Sequence, residues 1–122
     1  MTGSPTPGGF DLAVLCDLRI ATHRAAFAHP EAALGPVVYG PLHDLVGGAI
    51  ARELVLTGRE IDAREALQLH LVTELTDPGE LTDRALELAR QVSRAAREVL
   101  VRNKAKFTAR SAIHPGTATL DL

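Results

Sequence analysis

Residues 8–35 read GGFDLAVLCDLRIATHRAAFAHPEAALG, and the rest of the chain is interpreted from this segment outward. Its glycine pair is followed by an apolar segment that predicts a buried helix over residues 10–17. A glycine turn before a helix allows another molecule to approach the backbone closely, and the first amide N–H groups of a helix lack an intrahelical partner. Such a terminus suits an oxygen atom that becomes negative. Two carboxylates, Asp11 and Glu31, are placed to converge on whatever these amides bind.

Two short extended segments, residues 18–22 and 26–28, are predicted after this helix, and the polar Arg19 interrupts the first of them. Pro30 then favours extended geometry in the residue before it and can begin the next helical turn. Glu31 follows at the N-terminal end of that turn, where the helix dipole stabilises a carboxylate as the anion. On position alone, Glu31 is either an acid/base or a helix-capping glutamate at the surface.

The rest of the chain is predicted to be mostly helical, because its apolar residues recur at helical spacing between capping and stop signals. Asp62 and Glu65 have the form of a capping box, and Gly58 is placed as a C-terminal stop. The predicted elements are a turn at 39–41, helices at 48–56 and 62–69, a strand at 72–75, a long helix from 77 with a pause near 93–96, and a last helix to residue 110.

A chain of 122 residues fits one domain with a compact core. We expect this domain to span residues 8–110, between a flexible N-terminal segment (1–7) and a disordered tail (111–122). Hydrophobic residues make up 46% of the chain but aromatic residues only 3%, so the apolar content is mainly Ala, Leu and Val, which favours helices.

Charge and composition exclude several kinds of partner. The net charge of −2 gives no general attraction to nucleic acid. We expect no membrane span, since a long uncharged apolar run is missing, and residues 1–7 lack the features of a secretory signal. The single cysteine allows no internal disulfide and fits a reducing compartment, so we expect a cytoplasmic protein.

The five histidines predict no metal site, because none is spaced from another as H-x3-H or H-x2-H and one cysteine cannot complete a cluster. His43 and Asp44 are adjacent, and adjacent residues on a helix do not face each other, so they indicate a polar helix start rather than a catalytic pair. Only His29 is placed to touch a substrate. The more frequent role for such a residue is that of a partly buried histidine bonded to the backbone.

Several stretches carry a resemblance to one family. Residues 8–21, GGFDLAVLCDLRIA, resemble the GG-x-[ED]-LA-x-x-CD-x-x-x-A motif of the crotonase family, the enoyl-CoA hydratases and isomerases. Residues 26–35 resemble its F-x-x-PE-x-x-LG motif at the expected distance. Residues 54–66 with Leu71-Val72 resemble its L-x-LTG-x-x-I-x-A-x-EA…GLV signature. The resemblance spans residues 7–107 and corresponds to the C-terminal portion of the family's domain only.

This resemblance implies a helix-rich α/β fold, a partial ClpP/crotonase spiral in which short strands are followed by helices. It implies an acyl-CoA thioester of fatty acid metabolism as the substrate, and a lyase or isomerase reaction without a metal or redox cofactor. Gly8 matches the family's second oxyanion donor, whose backbone N–H stabilises the thioester oxygen as it becomes an enolate. The first donor belongs to an upstream loop of the family fold, which we do not expect in this chain.

Two acids complete the implied site. Glu31 matches the family's principal acid/base, and Asp11 matches a position where the hydratases mostly carry a glutamate that helps to hold a water molecule. Aspartate is one methylene shorter, and a displacement of about 1 Å can cost about 100-fold in rate. Asp11 is therefore either a water-holding catalytic residue or a charge at a helix N-terminus. Because isomerases of the family rely mainly on the second acid, both reactions remain open.

The chain departs from the family pattern at several places. Pro7 replaces a small residue before the glycine pair, and proline has no N–H, so an oxyanion donor must come from Gly8 or later. Residues 36–47, PVVYGPLHDLVG, replace a longer glycine-rich loop that shapes the acyl pocket. The expected tail replaces C-terminal helices that close the site and pack between subunits.

Two functions remain open. The first is enoyl-CoA hydratase/isomerase activity. The alternative is a catalytically silent remnant, or an assembly module that folds with a complementary chain or with copies of itself in a trimer-based homo-oligomer. Arg102, Lys106 and Arg110 form a basic stripe in the last predicted helix, which either contacts the phosphates of coenzyme A or is a solvated face.

Overall fold

The computed structural model of the protein describes residues 8–30, 35 and 37–110, in which short strands alternate with helices. This is the helix-rich α/β arrangement predicted from the sequence. The predictions for residues 1–7, 31–34 and 111–122 lie outside the described residues. The helices are α1 (Gly9–Leu15), α2 (Gly40–Val46), α3 (Gly48–Thr57), α4 (Ala63–Gln68), α5 (Leu81–Val92) and α6 (Arg97–Arg110), and the strands are β1 (Ile20–Thr22), β2 (Ala26–Phe27), β3 (Ile61–Asp62) and β4 (Glu74–Thr76).

Within the described residues the strands pair as two small two-stranded sheets. β1 and β4 are parallel, with Ile20 opposite Glu74. β2 and β3 are antiparallel, with Phe27 opposite Ile61. A parallel pair requires a crossover connection, and here the crossover carries the second sheet and helices α2 to α4. β3 is not among the predicted elements, because two residues beside a helix cap leave no periodicity to detect.

One hydrophobic core joins α1, the second sheet and helices α2 to α4. α1 contributes Phe10, Ala13 and Val14, which lie on one face because they are three and four positions apart. The core thereby fixes α1, and with it the glycine turn that precedes the helix. The largest fully buried apolar side chains of the other elements and loops are Phe27, Leu42, Leu54, Ile61, Leu71 and Val72.

Arg19 is buried and holds the start of β1, whereas the sequence predicted only a polar interruption of that strand. Its Nε donates to the carbonyl oxygen of Leu71 at 2.6 Å, and its guanidinium also donates to the carbonyl of Cys16. The Arg19 carbonyl accepts a hydrogen bond from the backbone N–H of Thr73 at 3.0 Å. Burial lowers the pKa of Arg19, but a guanidinium stays charged at neutral pH. The side chain therefore ties the end of α1 to the segment that precedes β4.

The end of α3 and the start of α4 lie at the predicted signals. α3 ends at Gly58, whose φ of 65° lies in the left-handed region that favours glycine. The Asp62 side chain accepts a hydrogen bond from the backbone N–H of Glu65 at 2.8 Å, which is the first half of the predicted capping box. In place of the second half, the Glu65 carboxylate accepts hydrogen bonds from Arg59 at 2.8 and 3.1 Å.

Other helix boundaries differ from the predictions, most of them by one residue. α1 ends at Leu15 rather than at residue 17, because Cys16 adopts an extended backbone. The predicted turn at 39–41 contributes to α2, which begins at Gly40, since proline is compatible with the first turn of a helix. At residues 77–80 a short 3-10 turn, Pro78–Glu80, precedes α5. The predicted pause near residues 93–96 is confirmed as the break between α5 and α6.

α5 and α6 lie at the edge of the fold. No side chain is buried in either helix, both of which are described over their whole length. α5 faces the strand region, where Leu88 and Val92 line a shallow groove with Leu18. α6 is tied to the end of α1 by Lys104, whose Nζ lies 2.8 Å from the Asp17 carboxylate. No helix in the described ranges is long and apolar enough to cross a membrane.

Candidate active site

The start of α1 is formed by a glycine in a conformation that other residues rarely adopt. Gly8 has φ 75° and ψ −15°, and its carbonyl accepts the first helical hydrogen bond from the backbone N–H of Leu12 at 3.0 Å. A Cβ built on Gly8 would meet no described atom within 4 Å, so the backbone conformation rather than the space demands glycine here. Gly8 is exposed to solvent at the start of α1.

Asp11 lies in the first turn of α1 and connects the helix to two other parts of the chain. Its Oδ1 accepts a hydrogen bond from the backbone N–H of Val38 at 3.1 Å. The same oxygen lies 3.5 Å from Nδ1 of His29. The Asp11 side chain is 20% exposed, which places its carboxylate at the boundary between core and solvent. The carboxylate is therefore anchored by the protein on one side.

His29 is a core residue. It is only 1% exposed, and its ring stacks on that of Phe10 with centroids 4.5 Å apart and planes at 22°. Phe10 in turn contacts Phe27, whose ring centroid is 5.7 Å away. The sequence predicted a partly buried histidine bonded to the backbone, and the structure has a fully buried side chain. Its Nδ1 faces the carboxylate of Asp11, a contact that the sequence did not suggest.

The meeting of Glu31 with Gly8 and Asp11 stays a prediction, because Glu31 lies outside the described residues. The structure places Gly8 and Asp11 at the same end of one helix. It also places His29, two positions before Glu31, against that helix. Two of the three predicted site residues are therefore brought together, and the segment that leads to the third packs beside them.

The sequence did not predict the two contacts of Asp11, one with the His29 side chain and one with the Val38 amide. One signal for His29 was present, since Phe27 and His29 are two positions apart in an extended segment and their side chains then share a face. With Phe27 in the core, His29 had to face the core as well. The Val38 contact has no comparable signal, because it joins residues 27 positions apart through a loop.

The structure also describes the other polar residues that the sequence analysis considered. Nδ1 of His43 lies 3.1 Å from the hydroxyl of Tyr39, one helical turn away, so the neighbouring Asp44 is not needed as its partner. In the part of the chain that the structure describes, no group of three His, Cys, Asp or Glu side chains is placed to hold a metal ion. The basic stripe at positions 102, 106 and 110 is exposed on α6, as both of its interpretations require.

Comparisons with known proteins identify one family. The sequence profile of the family described as enoyl-CoA hydratase/isomerase matches residues 1–122, a wider span than the motifs cover. YngF of Bacillus subtilis (strain 168), which is named for that family, is 39% identical over 123 residues, covering 98% of this chain and 46% of that protein. The short-chain-enoyl-CoA hydratase of Clostridium acetobutylicum is 38% identical over 96 residues, covering 75% of this chain and 37% of that protein.

Solved structures agree as well. A monofunctional enoyl-CoA isomerase from M. smegmatis has a TM-score of 0.82 and 29% identity, and the match covers 97% of this chain and 56% of that chain. The chain thus spans about half the length of these relatives, with matches that cover between 37% and 56% of each. Its fold is therefore a partial crotonase fold. The profile match over all residues, the motifs around α1 and the structural similarity show that the chain belongs to the enoyl-CoA hydratase/isomerase family of the crotonase superfamily.

Proposed function

We propose that this chain forms part of an acyl-CoA site in an enzyme of the enoyl-CoA hydratase/isomerase type. Family membership supports an acyl-CoA thioester as the substrate. The observation that carries the proposal is the left-handed turn at Gly8, with the Asp11 carboxylate one turn further along α1. In this proposal coenzyme A enters as part of the substrate, and the reaction uses no metal or redox cofactor.

The thioester oxygen is proposed to bind at the backbone N–H of Gly8. As the carbonyl becomes an enolate, this oxygen gains negative charge, which the N–H group and the positive end of the helix dipole stabilise. Loss of one such donor typically costs about 100- to 1,000-fold in rate. The reaction needs a second donor, and the family resemblance assigns it to a loop upstream of Gly8.

The two acids have different proposed roles. In hydration, Glu31 takes up a proton from the attacking water and delivers it to the carbon next to the thioester carbonyl, while the hydroxyl adds to the other carbon of the double bond. In double-bond migration, Glu31 removes a proton from one end of the allylic system and returns it at the other end. Asp11 holds the water that adds to the double bond, and because its Oδ1 already contacts Val38 and His29, we assign the water to its Oδ2. Hydration requires both acids, whereas migration of the double bond requires Glu31 alone.

Turnover of crotonyl-CoA by the purified protein, followed as loss of the enoyl absorbance, tests this proposal. We expect Glu31→Gln to lower the rate at least about 100-fold, because an amide cannot take up the proton. Glu60→Gln changes an exposed glutamate outside the site and should retain full activity. A 3-enoyl-CoA substrate tests double-bond migration with the same variants. If Glu31→Gln turns over both substrates as fast as the unmodified protein, the proposed chemistry is wrong.

A catalytically silent assembly module is the second candidate, and exposed apolar side chains favour it. Leu12 on α1 is 67% exposed and Leu56 on α3 is 83% exposed. Apolar side chains this exposed suit an interface, either between copies in a trimer-based homo-oligomer or with a complementary chain. Both candidates fit the cytoplasm, where we propose that the protein acts. Light scattering after size exclusion distinguishes them, because an inactive trimer or heteromer supports the module and an active monomer contradicts it.

A further inference from the structure

A buried histidine faces the proposed water-holding carboxylate. The His29 side chain is fully buried, and its Nδ1 lies 3.5 Å from Oδ1 of Asp11. The ring stacks on Phe10 with 4.5 Å between the ring centroids, and no part of the side chain is open to solvent. Nδ1 therefore has a fixed place relative to the first turn of α1.

The carboxylate is held from two separate parts of the chain. The backbone N–H of Val38 donates to Oδ1 at 3.1 Å, and Nδ1 of His29 faces the same oxygen. A carboxylate oxygen can only accept, so a hydrogen bond from His29 to this oxygen requires the ring form that carries its proton on Nδ1. Together the two groups define the direction in which the Asp11 carboxylate points.

We propose that His29 is a positioning residue, whose Nδ1–H orients the Asp11 carboxylate so that Oδ2 can hold the attacking water. This inference rests on the proposed function. Aspartate reaches less far than the glutamate of most family hydratases, so the position of its carboxylate has to be fixed closely for hydration to proceed. In this role His29 touches neither substrate nor water and acts only through Asp11.

A packing role alone leads to different expectations. A phenylalanine ring has nearly the shape of the imidazole and can stack on Phe10 in the same way. If His29 only fills the core, His29→Phe retains the fold, the orientation of Asp11 and the activity. If Nδ1 orients the carboxylate, the same variant keeps the fold and loses the orientation.

Kinetics with matched variants separate the two roles. We expect His29→Phe to lower kcat for crotonyl-CoA hydration about 10- to 100-fold, while KM changes less than about 2-fold. His29→Asn should recover part of kcat, because its amide N–H2 reaches the region of Nδ1. His23→Asn, at an exposed histidine beside Asp77, is the control and should leave kcat unchanged. Unchanged kcat in a folded His29→Phe protein overturns the inference.

The amide resonance of Val38 gives a readout that does not depend on turnover. This N–H donates to Asp11, so Asp11→Asn should shift its resonance, and we expect His29→Phe to shift it as well. If the unmodified protein shows no turnover, the proposed function fails, and this resonance alone tests the positioning of Asp11. A resonance that moves in Asp11→Asn but not in His29→Phe overturns the inference.

Two polar variants keep the inference testable if His29→Phe does not fold. His29→Asn carries its donor near the place of Nδ1, and His29→Gln carries it near the place of Nε2. We expect the Val38 resonance of His29→Asn to stay closer to that of the unmodified protein. Equal shifts in both variants contradict a role for Nδ1.

Discussion

Oδ1 of Asp11 accepts a hydrogen bond at 3.1 Å from the backbone N–H of Val38, and this contact joins α1 to the segment that leads into α2. A hydrogen bond to an ionised carboxylate is stronger than one between neutral groups. Asp11 therefore has a structural task beside its proposed catalytic one. The two tasks can be separated, because a neutral amide oxygen keeps most of the structural hydrogen bond but removes the charge that the proposed catalysis uses.

Asp11→Ala is expected to lower the free energy of unfolding by about 1–2 kcal/mol, because the Val38 N–H loses its acceptor. Asp11→Asn keeps an oxygen at the same place, so this variant should lower the free energy of unfolding by less than about 1 kcal/mol. Urea unfolding measures both values. Two variants of equal stability would mean that the Val38 contact contributes nothing to the fold.

Arg19→Met is expected to destabilise the protein by about 2–3 kcal/mol, because the carbonyls of Leu71 and Cys16 lose a charged donor inside the fold. Methionine retains much of the apolar stem, so the loss reports mainly on the hydrogen bonds. Arg24→Met, at an exposed arginine, is the control and should change stability by less than about 0.5 kcal/mol. Similar unfolding midpoints for the two variants would contradict the role of Arg19.

The features of the fold that could be predicted from the sequence depend on neighbouring residues. Gly58 ends α3 because only a residue that tolerates the left-handed region fits there, and the composition of the turn shows this. Asp62 begins α4 because its side chain reaches an amide three residues on. At the site, the motifs identified Gly8 and Asp11, which the structure places at one end of α1.

The remaining features depend on contacts between distant residues, which no local pattern contains. The pairing of β1 with β4 and the reach of Arg19 to Leu71 are set by the whole fold. Glu65 shows how such a contact overrides a local rule. The capping-box pattern predicts that its carboxylate accepts a hydrogen bond from the backbone at the start of α4. The carboxylate instead accepts two hydrogen bonds from the charged guanidinium of Arg59.

The pair formed by Arg59 and Glu65 predicts a dependence of stability on pH. The hydrogen bonds from Arg59 lower the pKa of Glu65 below its ordinary value. A carboxyl group with a lowered pKa stabilises the fold above its unfolded pKa, about 4.3 for glutamate, and this contribution is lost as the pH falls through the folded value.

Glu65→Gln should therefore be less stable than the unmodified protein at neutral pH, and the difference should close as the pH falls below about 4. The difference will be small and will shrink in high salt, because the pair is open to solvent. Urea unfolding of both proteins at neutral and acidic pH measures it. A difference that does not change with pH would contradict this origin.

Gly8→Ala and Gly79→Ala form a matched pair that isolates the backbone conformation at the start of α1. At either position a new Cβ would meet no described atom within 4 Å, but only Gly8 has a positive φ, 75°. An L-residue in the left-handed region costs about 1–2 kcal/mol, so Gly8→Ala should lose about that much stability, whereas Gly79→Ala should stay within about 0.5 kcal/mol. Unfolding free energies measure the strain, and equal values for the two variants would show that the left-handed turn is not what demands glycine.

If the turn relaxes to escape the strain, the N–H at position 8 changes direction. Under the proposed function kcat for crotonyl-CoA must then fall in Gly8→Ala while Gly79→Ala keeps it.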